Sequence, residues 1–149
     1  MEESKSRAIK SLIEMSLELL NASQGAFLVA DAAAAQLKFE VVAVKHGTAE
    51  PLKRVSEKLM GEIVAFGVGI TGKAAATRSV QFGSRNAGAD LLHVRGDGTP
   101  NAVMAVPVLS EDRLLGVMTA VCFDRELSFS SEAARQYSLA AEVAAGMLG

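Results

Sequence analysis

Gly67, Gly69 and Gly72 stand at the spacing G-x-G-x-x-G, and Asp90 follows at about the distance of the acid in a dinucleotide-binding fingerprint. That fingerprint holds a pyrophosphate on backbone amides at the start of a long helix inside a βαβ unit. Here only Lys73–Thr77 separate Gly72 from Arg78 and the next strand, too short a helix for that unit. Two other readings stand. The run is a tight turn whose glycines supply positive φ, or its amides, at the start of a short helix, line a ligand pocket. Downstream, Gly83–Asn101 holds Ser84, Arg85, Asn86, Asp90, His93, Arg95 and Asp97 among five Gly or Pro residues. Long loops inside compact domains are uncommon and often functional. This one reads either as a lid whose polar groups orient a ligand or as a solvated loop.

Other chemistry is thinly represented. His46 and His93 each stand alone, with no second ligand at helical or hairpin spacing, so no metal or haem site is expected. Cys122 is the one cysteine, which excludes an internal disulfide and a multi-cysteine metal site. It reads as an inert strand residue. There is no G-x-S-x-G elbow, no H-E-x-x-H and no paired carboxylates at a shared spacing. Asp31, Glu40 and Glu62 read as surface charge. Met60, Met104 and Met118 fall in or near strands, as core filling or as the soft wall of an adaptable pocket. No catalytic residue is expected.

The elements that would position these residues follow from periodicity. Ile9, Leu12, Ile13, Ser16, Leu17 and Leu20 recur at spacings of three and four, the stripe of a first helix ending in Asn21–Gly25. Gly25–Asp31 reads as a buried strand. Leu37–Lys45 alternates, with Leu37, Phe39, Val41 and Ala43 on one side. The Ala-rich Ala32–Gln36 connects the two. Pro51–Met60 reads as a short helix with Pro in its first turn, Glu62–Phe66 as a strand, Lys73–Thr77 as a short helix and Ser79–Phe82 as a strand. Ala102–Leu109 and Arg113–Phe123 form a hairpin. Pro107 cannot donate a ladder hydrogen bond, so its strand should be at an edge or bulged there. Ser130 is the N-cap of a last helix whose stripe is Ala133, Tyr137, Ala140, Ala141, Ala144 and Leu148. Hairpin-length links at both ends favour an antiparallel sheet, with the two end helices packed on it.

Length and composition bound the reading. The chain has 149 residues, half of them hydrophobic, and a net charge of −2. That fits one domain, residues 1–149, with a real core. A near-neutral chain with 5% aromatics and no Trp makes nucleic acid an unexpected partner. The charged N-terminus lacks the apolar core of a signal peptide, and no apolar run reaches the roughly 20 residues of a spanning helix. A cytoplasmic protein with no membrane partner is expected.

Three segments resemble a GAF domain, the small regulatory module of cytosolic sensors. They are Gly67–Ala75; Ala102–Leu109 continuing through Leu115-Gly116-Val117-Met118; and Phe129-Ser130-Ser131-Glu132 opening an Ala-rich helix. With the first helix and hairpin, the resemblance spans almost the whole chain. It implies an α+β fold with a six-stranded antiparallel sheet. The N- and C-terminal helices would lie on one face, and a ligand pocket formed by loops and short helices on the other. In the family that pocket holds cyclic nucleotides, bilins, haem or amino acids, or nothing. The Asn-Lys-Phe…Asp-Glu signature of cyclic-nucleotide binders is absent, and Cys122 is followed by Phe123 rather than the His usual after a bilin-bearing cysteine. Free-methionine-sulfoxide reductases of the family need resolving cysteines, which one cysteine does not supply. The expected function is a sensory module binding a small molecule, with no cofactor named. Its expected walls are Phe66, Ile70, Thr71, Phe82, Met104 and Val106, with Ser84, Asn86 and Asp90 as polar contacts. The alternative is a ligand-free dimerisation module. The resemblance implies a homodimer through the terminal helices; in the dimerisation alternative Leu12, Ile13 and Leu17 would meet Ala140, Ala144 and Leu148.

Overall fold

The structure is a computed structural model that describes residues 1–84, 101–123 and 129–149. In chain order its elements are α1 (Glu3–Leu20), β1 (Gln24–Asp31), β2 (Gln36–Val44), α2 (Glu50–Glu57), β3 (Ile63–Ala65), α3 (Gly69–Thr77), β4 (Gln81–Ser84), β5 (Ala102–Ser110), β6 (Arg113–Cys122) and α4 (Ser131–Leu148). The strands form one six-stranded sheet in the order β3-β2-β1-β6-β5-β4, every pair antiparallel. The α+β fold expected from the sequence is therefore present.

Two apolar layers cover the two faces of the sheet. On one, Ile9, Ile13 and Leu17 of α1 and Tyr137, Ala141 and Ala144 of α4 pack against Phe27, Val41, Met104, Val106 and Met118. On the other, Ile70, Ala74 and Ala75 of α3 pack with Leu28, Leu37, Phe39, Val103, Ala105 and Val117. Small residues along α4 let it lie close to the sheet. Tyr137 is the bulky exception, and its hydroxyl donates to the Thr119 carbonyl at 2.7 Å, so its polar end is satisfied inside the core.

Local signals account for most boundaries. Asn21 ends α1 in the left-handed conformation, at φ 55°. The Ala32–Ala35 turn is held by Asp31, whose Oδ1 accepts from Ala34 N, and Ala35 closes it at φ 52°. The Ser130 hydroxyl accepts from Ala133 N at 3.1 Å, the expected N-cap. Among the described residues β4 reaches β5 only from Ala102 to Ala105, so no strand lies on that side of Pro107 there. That is the edge its missing N–H requires.

Three expectations are corrected. Leu37, Phe39, Val41 and Ala43 do not share one face. The β1–β2 register steps from Phe27↔Val41 to Leu28↔Phe39, leaving Glu40 as the extra residue of a β-bulge. A one-residue step reverses facing, so Leu37 and Phe39 join the α3 layer while Val41 and Ala43 join the terminal-helix layer. The stripe Ile13, Leu17 and Ala144 does not face outward for a partner; all three are fully buried in their own chain. The outward apolar residues are Met15 and Leu19 on α1 and Leu139, Val143 and Met147 on α4. Finally, α3 begins at Gly69, a turn earlier than Lys73.

Candidate functional site

Among the described residues, the α3 face carries the one constellation whose polar groups are buried and unanswered. Its approach is built by the three glycines. Gly67 and Gly69 take φ of +87° and +63°, a region that L side chains avoid. Gly67 N donates to the Gly72 carbonyl at 2.8 Å and Gly72 N to the Val68 carbonyl at 2.9 Å, folding the loop onto the first turn of the helix. Gly72 has no room for a side chain, since a Cβ there would stand 2.4 Å from the Ala65 carbonyl oxygen. Chain geometry alone therefore accounts for G-x-G-x-x-G. Every described strand pair is antiparallel, so among the described residues there is no βαβ unit of a dinucleotide fold.

That folding leaves the start of α3 short of acceptors. Val68, the N-cap, gives no side-chain cap, and no acid lies in the first turn. Gly69, Ile70, Thr71 and Gly72 are all buried. Among the described residues the amides of Gly69, Ile70 and Thr71 meet no acceptor. Thr71 Oγ1 is buried with no hydrogen-bond partner. Thr71 is the third residue of the helix, in the same first turn as those amides. The result is a buried cluster of unanswered amide donors, with one hydroxyl that can also donate, at the positive end of a helix dipole. Chemically it fits a ligand oxygen with lone pairs, such as a carboxylate or phosphate.

The expected site residues divide. Ile70 and Thr71 lie in this cluster, and half-buried Phe66 packs on the same layer. Met104 and Val106 do not: both are buried under the terminal helices. By register Phe82 pairs with Met104 and Ser84 with Ala102, so both follow them to the terminal-helix face; Phe82 stays exposed at the sheet edge. The reason is that β5 is apolar at every position from Ala102 to Leu109. With no alternation to read, its facing is invisible in the sequence. Val103 and Ala105 are the residues β5 turns toward α3, joined by Val117 and Val121 of β6. Asn86 and Asp90, with most of Gly83–Asn101, lie outside the described residues.

The remaining chemistry is structural. Cys122 is buried on the terminal-helix face, away from α3. Burial pushes the Tyr137 phenol far above its ordinary range. On the surface of α4 the Arg135 guanidinium, bonded to Glu132 at 2.7 Å, lowers that carboxyl and is itself raised. Among the described residues no group of His, Cys, Asp and Glu is placed to hold a metal. No helix there is long and apolar enough to cross a membrane.

Comparison with known proteins agrees with this architecture. The GAF domain of an Acinetobacter phosphoenolpyruvate-protein phosphotransferase superposes with a TM-score of 0.75 at 12% identity, over 97% of this chain and 81% of that one. The second GAF domain of DevS from Mycobacterium smegmatis gives 0.69 at 18% identity, over 95% and 91%. The free methionine-R-sulfoxide reductase of Neisseria meningitidis, solved with its substrate, gives 0.72 at 17% identity, over 96% and 77%. These likenesses establish the fold. No curated protein matches the sequence. The GAF domain family model matches residues 4–148, almost the entire chain. The chain belongs to the GAF domain family.

Proposed function

We propose that this chain is a regulatory GAF module, one domain over residues 1–149, that binds a small molecule on the α3 face and passes the bound state to its terminal helices. The donor cluster at Gly69–Thr71 carries this reading. A buried hydroxyl in the same helix turn as unanswered amides is costly to keep, and a ligand oxygen accepting from these donors repays that cost. The ligand class is thus a small molecule bearing a carboxylate, phosphate or comparable acceptor. The module acts by binding, without catalysis: Cys122 is sealed on the opposite face, so the α3 face has no thiol nucleophile. A lone buried cysteine also suits the cytoplasm.

The test is a panel of carboxylate and phosphate metabolites followed by amide NMR and thermal unfolding. A specific ligand moves the resonances of Gly69–Gly72 and raises stability by about 2.7 kcal/mol at a hundredfold excess over Kd. If no member of the panel moves those amides, the reading fails.

A second reading, dimerisation without a ligand, has its own observation. Leu19 is 79% and Met15 66% exposed on α1, with Leu139 and Val143 half exposed on α4. The two helices pack on one another. Leu139, Val143 and Met147 recur every four residues, so α4 presents an apolar ridge outward. A homodimer through these residues is compatible with either reading and supplies the relay for the first.

A further inference from the structure

Away from the α3 face, a groove runs between α1 and α2 with β2 as its floor. It consists of a polar cavity of about 170 Å³ and an adjoining cavity of about 270 Å³, which share Lys10, Val42 and Glu57 as walls. β3 pairs with β2 only from Gln36 to Lys38. One side of β2 from Val42 to Val44 is paired with β1; the other side faces the polar cavity with no strand beside it among the described residues. Each wall carries a charge of each sign one helical turn apart: Lys10 and Glu14 on α1, Lys53 and Glu57 on α2. Among the described residues none of the four forms an ion pair or a side-chain hydrogen bond. The neighbouring cavity is floored by Val41 and Val42 and closed by Met60, which is half exposed.

We infer that this groove is a binding site for a small zwitterion with an apolar tail. Its carboxylate would meet a lysine and an edge N–H of β2. Its ammonium group would meet a glutamate and an edge carbonyl. The tail would lie over Val42 and against Met60. Three features fix that class. The polar cavity is smaller than the 300 Å³ at which sites for drug-sized ligands begin, so the charged head must be compact. The walls offer both signs, so a plain anion or a plain cation leaves one sign unanswered. The free strand edge supplies donors and acceptors in the alternation that a main-chain-like head group matches. The groove shares no lining residue with the α3 cluster.

The experiment titrates the intact chain with L-leucine, with isocaproate, which lacks the ammonium group, and with isoamylamine, which lacks the carboxylate. Amide NMR reads the site. Leucine is expected to move the resonances of Val42–Lys45 and Ser56–Glu57 saturably, with each single-charge analogue weaker by about tenfold or more. Glu57→Gln and Lys53→Gln lie on exposed positions of α2, leave the fold intact, and each weaken leucine by about tenfold. Absence of saturable change at those amides overturns the proposal. So does equal binding of leucine and either analogue, or insensitivity to both substitutions. Changes confined to Gly69–Gly72 also overturn it, and would speak instead for the α3 site.

Discussion

Replacing Thr71 by Val should make the protein more stable. Thr71 Oγ1 is buried and has no hydrogen-bond partner, while the rest of the side chain packs within α3's buried first turn. Leaving a buried hydroxyl unsatisfied costs about 1–3 kcal/mol. Valine keeps the branched shape, exchanges the hydroxyl for a methyl and has nearly the same helix propensity. The expected gain is about 1–2 kcal/mol. For a chain of this length that is a rise in midpoint of roughly 2–8 °C. Urea unfolding at constant m-value measures the gain directly. Thr71→Ser separates the two parts of the side chain: it keeps the hydroxyl, loses the methyl and should lower stability by about 1 kcal/mol. A ligand that stabilises the parent should stabilise Thr71→Val less, since one of its donors is gone. That combination, more stable when empty and less responsive when loaded, is the mark of a site that stores cost for use. A lower midpoint for Thr71→Val would refute the reasoning, because it would mean that the hydroxyl is satisfied in solution.

Gly72→Ala should destabilise by about 1–3 kcal/mol, because its Cβ would meet the Ala65 carbonyl oxygen at 2.4 Å and backbone has to move; urea denaturation reads it. Tyr137→Phe removes the bond to the Thr119 carbonyl and should cost about 1–2 kcal/mol by the same measurement. The Tyr137 phenol is raised by burial, so the folded state keeps a proton that the unfolded chain gives up near pH 10.0. Its contribution is therefore complete below that pH and is lost as pH rises beyond it, and the alkaline fall in midpoint should be shallower in Tyr137→Phe. Leu139→Glu with Val143→Glu should shift sedimentation toward monomer while moving the monomer's own stability by no more than about 0.5 kcal/mol, since both side chains are half exposed. An unchanged sedimentation profile that is dimeric in both proteins would place the interface elsewhere.

Periodicity made the fold legible wherever each face of an element had one kind of environment. The stripe of α1 was readable because apolar and polar positions recur there at the helix period, the Ser130 cap because its residue type marks a helix start, and the hairpin around Glu111 because a short polar link joins two apolar runs. Legibility stopped where both faces are covered. β5 and β6 sit between two apolar layers, so Met104 and Val103 look alike in sequence although they face opposite sides of the sheet. The bulge at Glu40 is silent for the same reason: hydrophobic residues stand on both sides of it, and the pattern reads as one unbroken alternation. Ile70 and Thr71 were found because they sit beside three glycines, and glycine spacing is a signal independent of hydrophobicity. What the glycines could not disclose was which of their amides is left without an acceptor, since that depends on where Ala65 and Gly72 end up in space.

The same double coverage gives the relay its physical route. β5 carries Val103 and Ala105 into the α3 layer and Met104 and Val106 into the terminal-helix layer, on consecutive residues of one strand. A close-packed interior transmits displacement rather than absorbing it. Any ligand that draws the start of α3 toward itself must move Val103 and Ala105, or separate from them. If they move, Met104 and Val106 move with the strand, and α4 rests on them. The coupling is limited by the ligand's difference in affinity between the two positions of α3, however tightly it binds. A substitution that loosens the strand's grip on one layer, such as Val103→Ala, should therefore weaken the response of α4 to ligand more than it weakens binding. Comparing ligand affinity with ligand-induced shifts of α4 amides in Val103→Ala checks this, and equal loss of both would show that the two layers are not mechanically joined through β5.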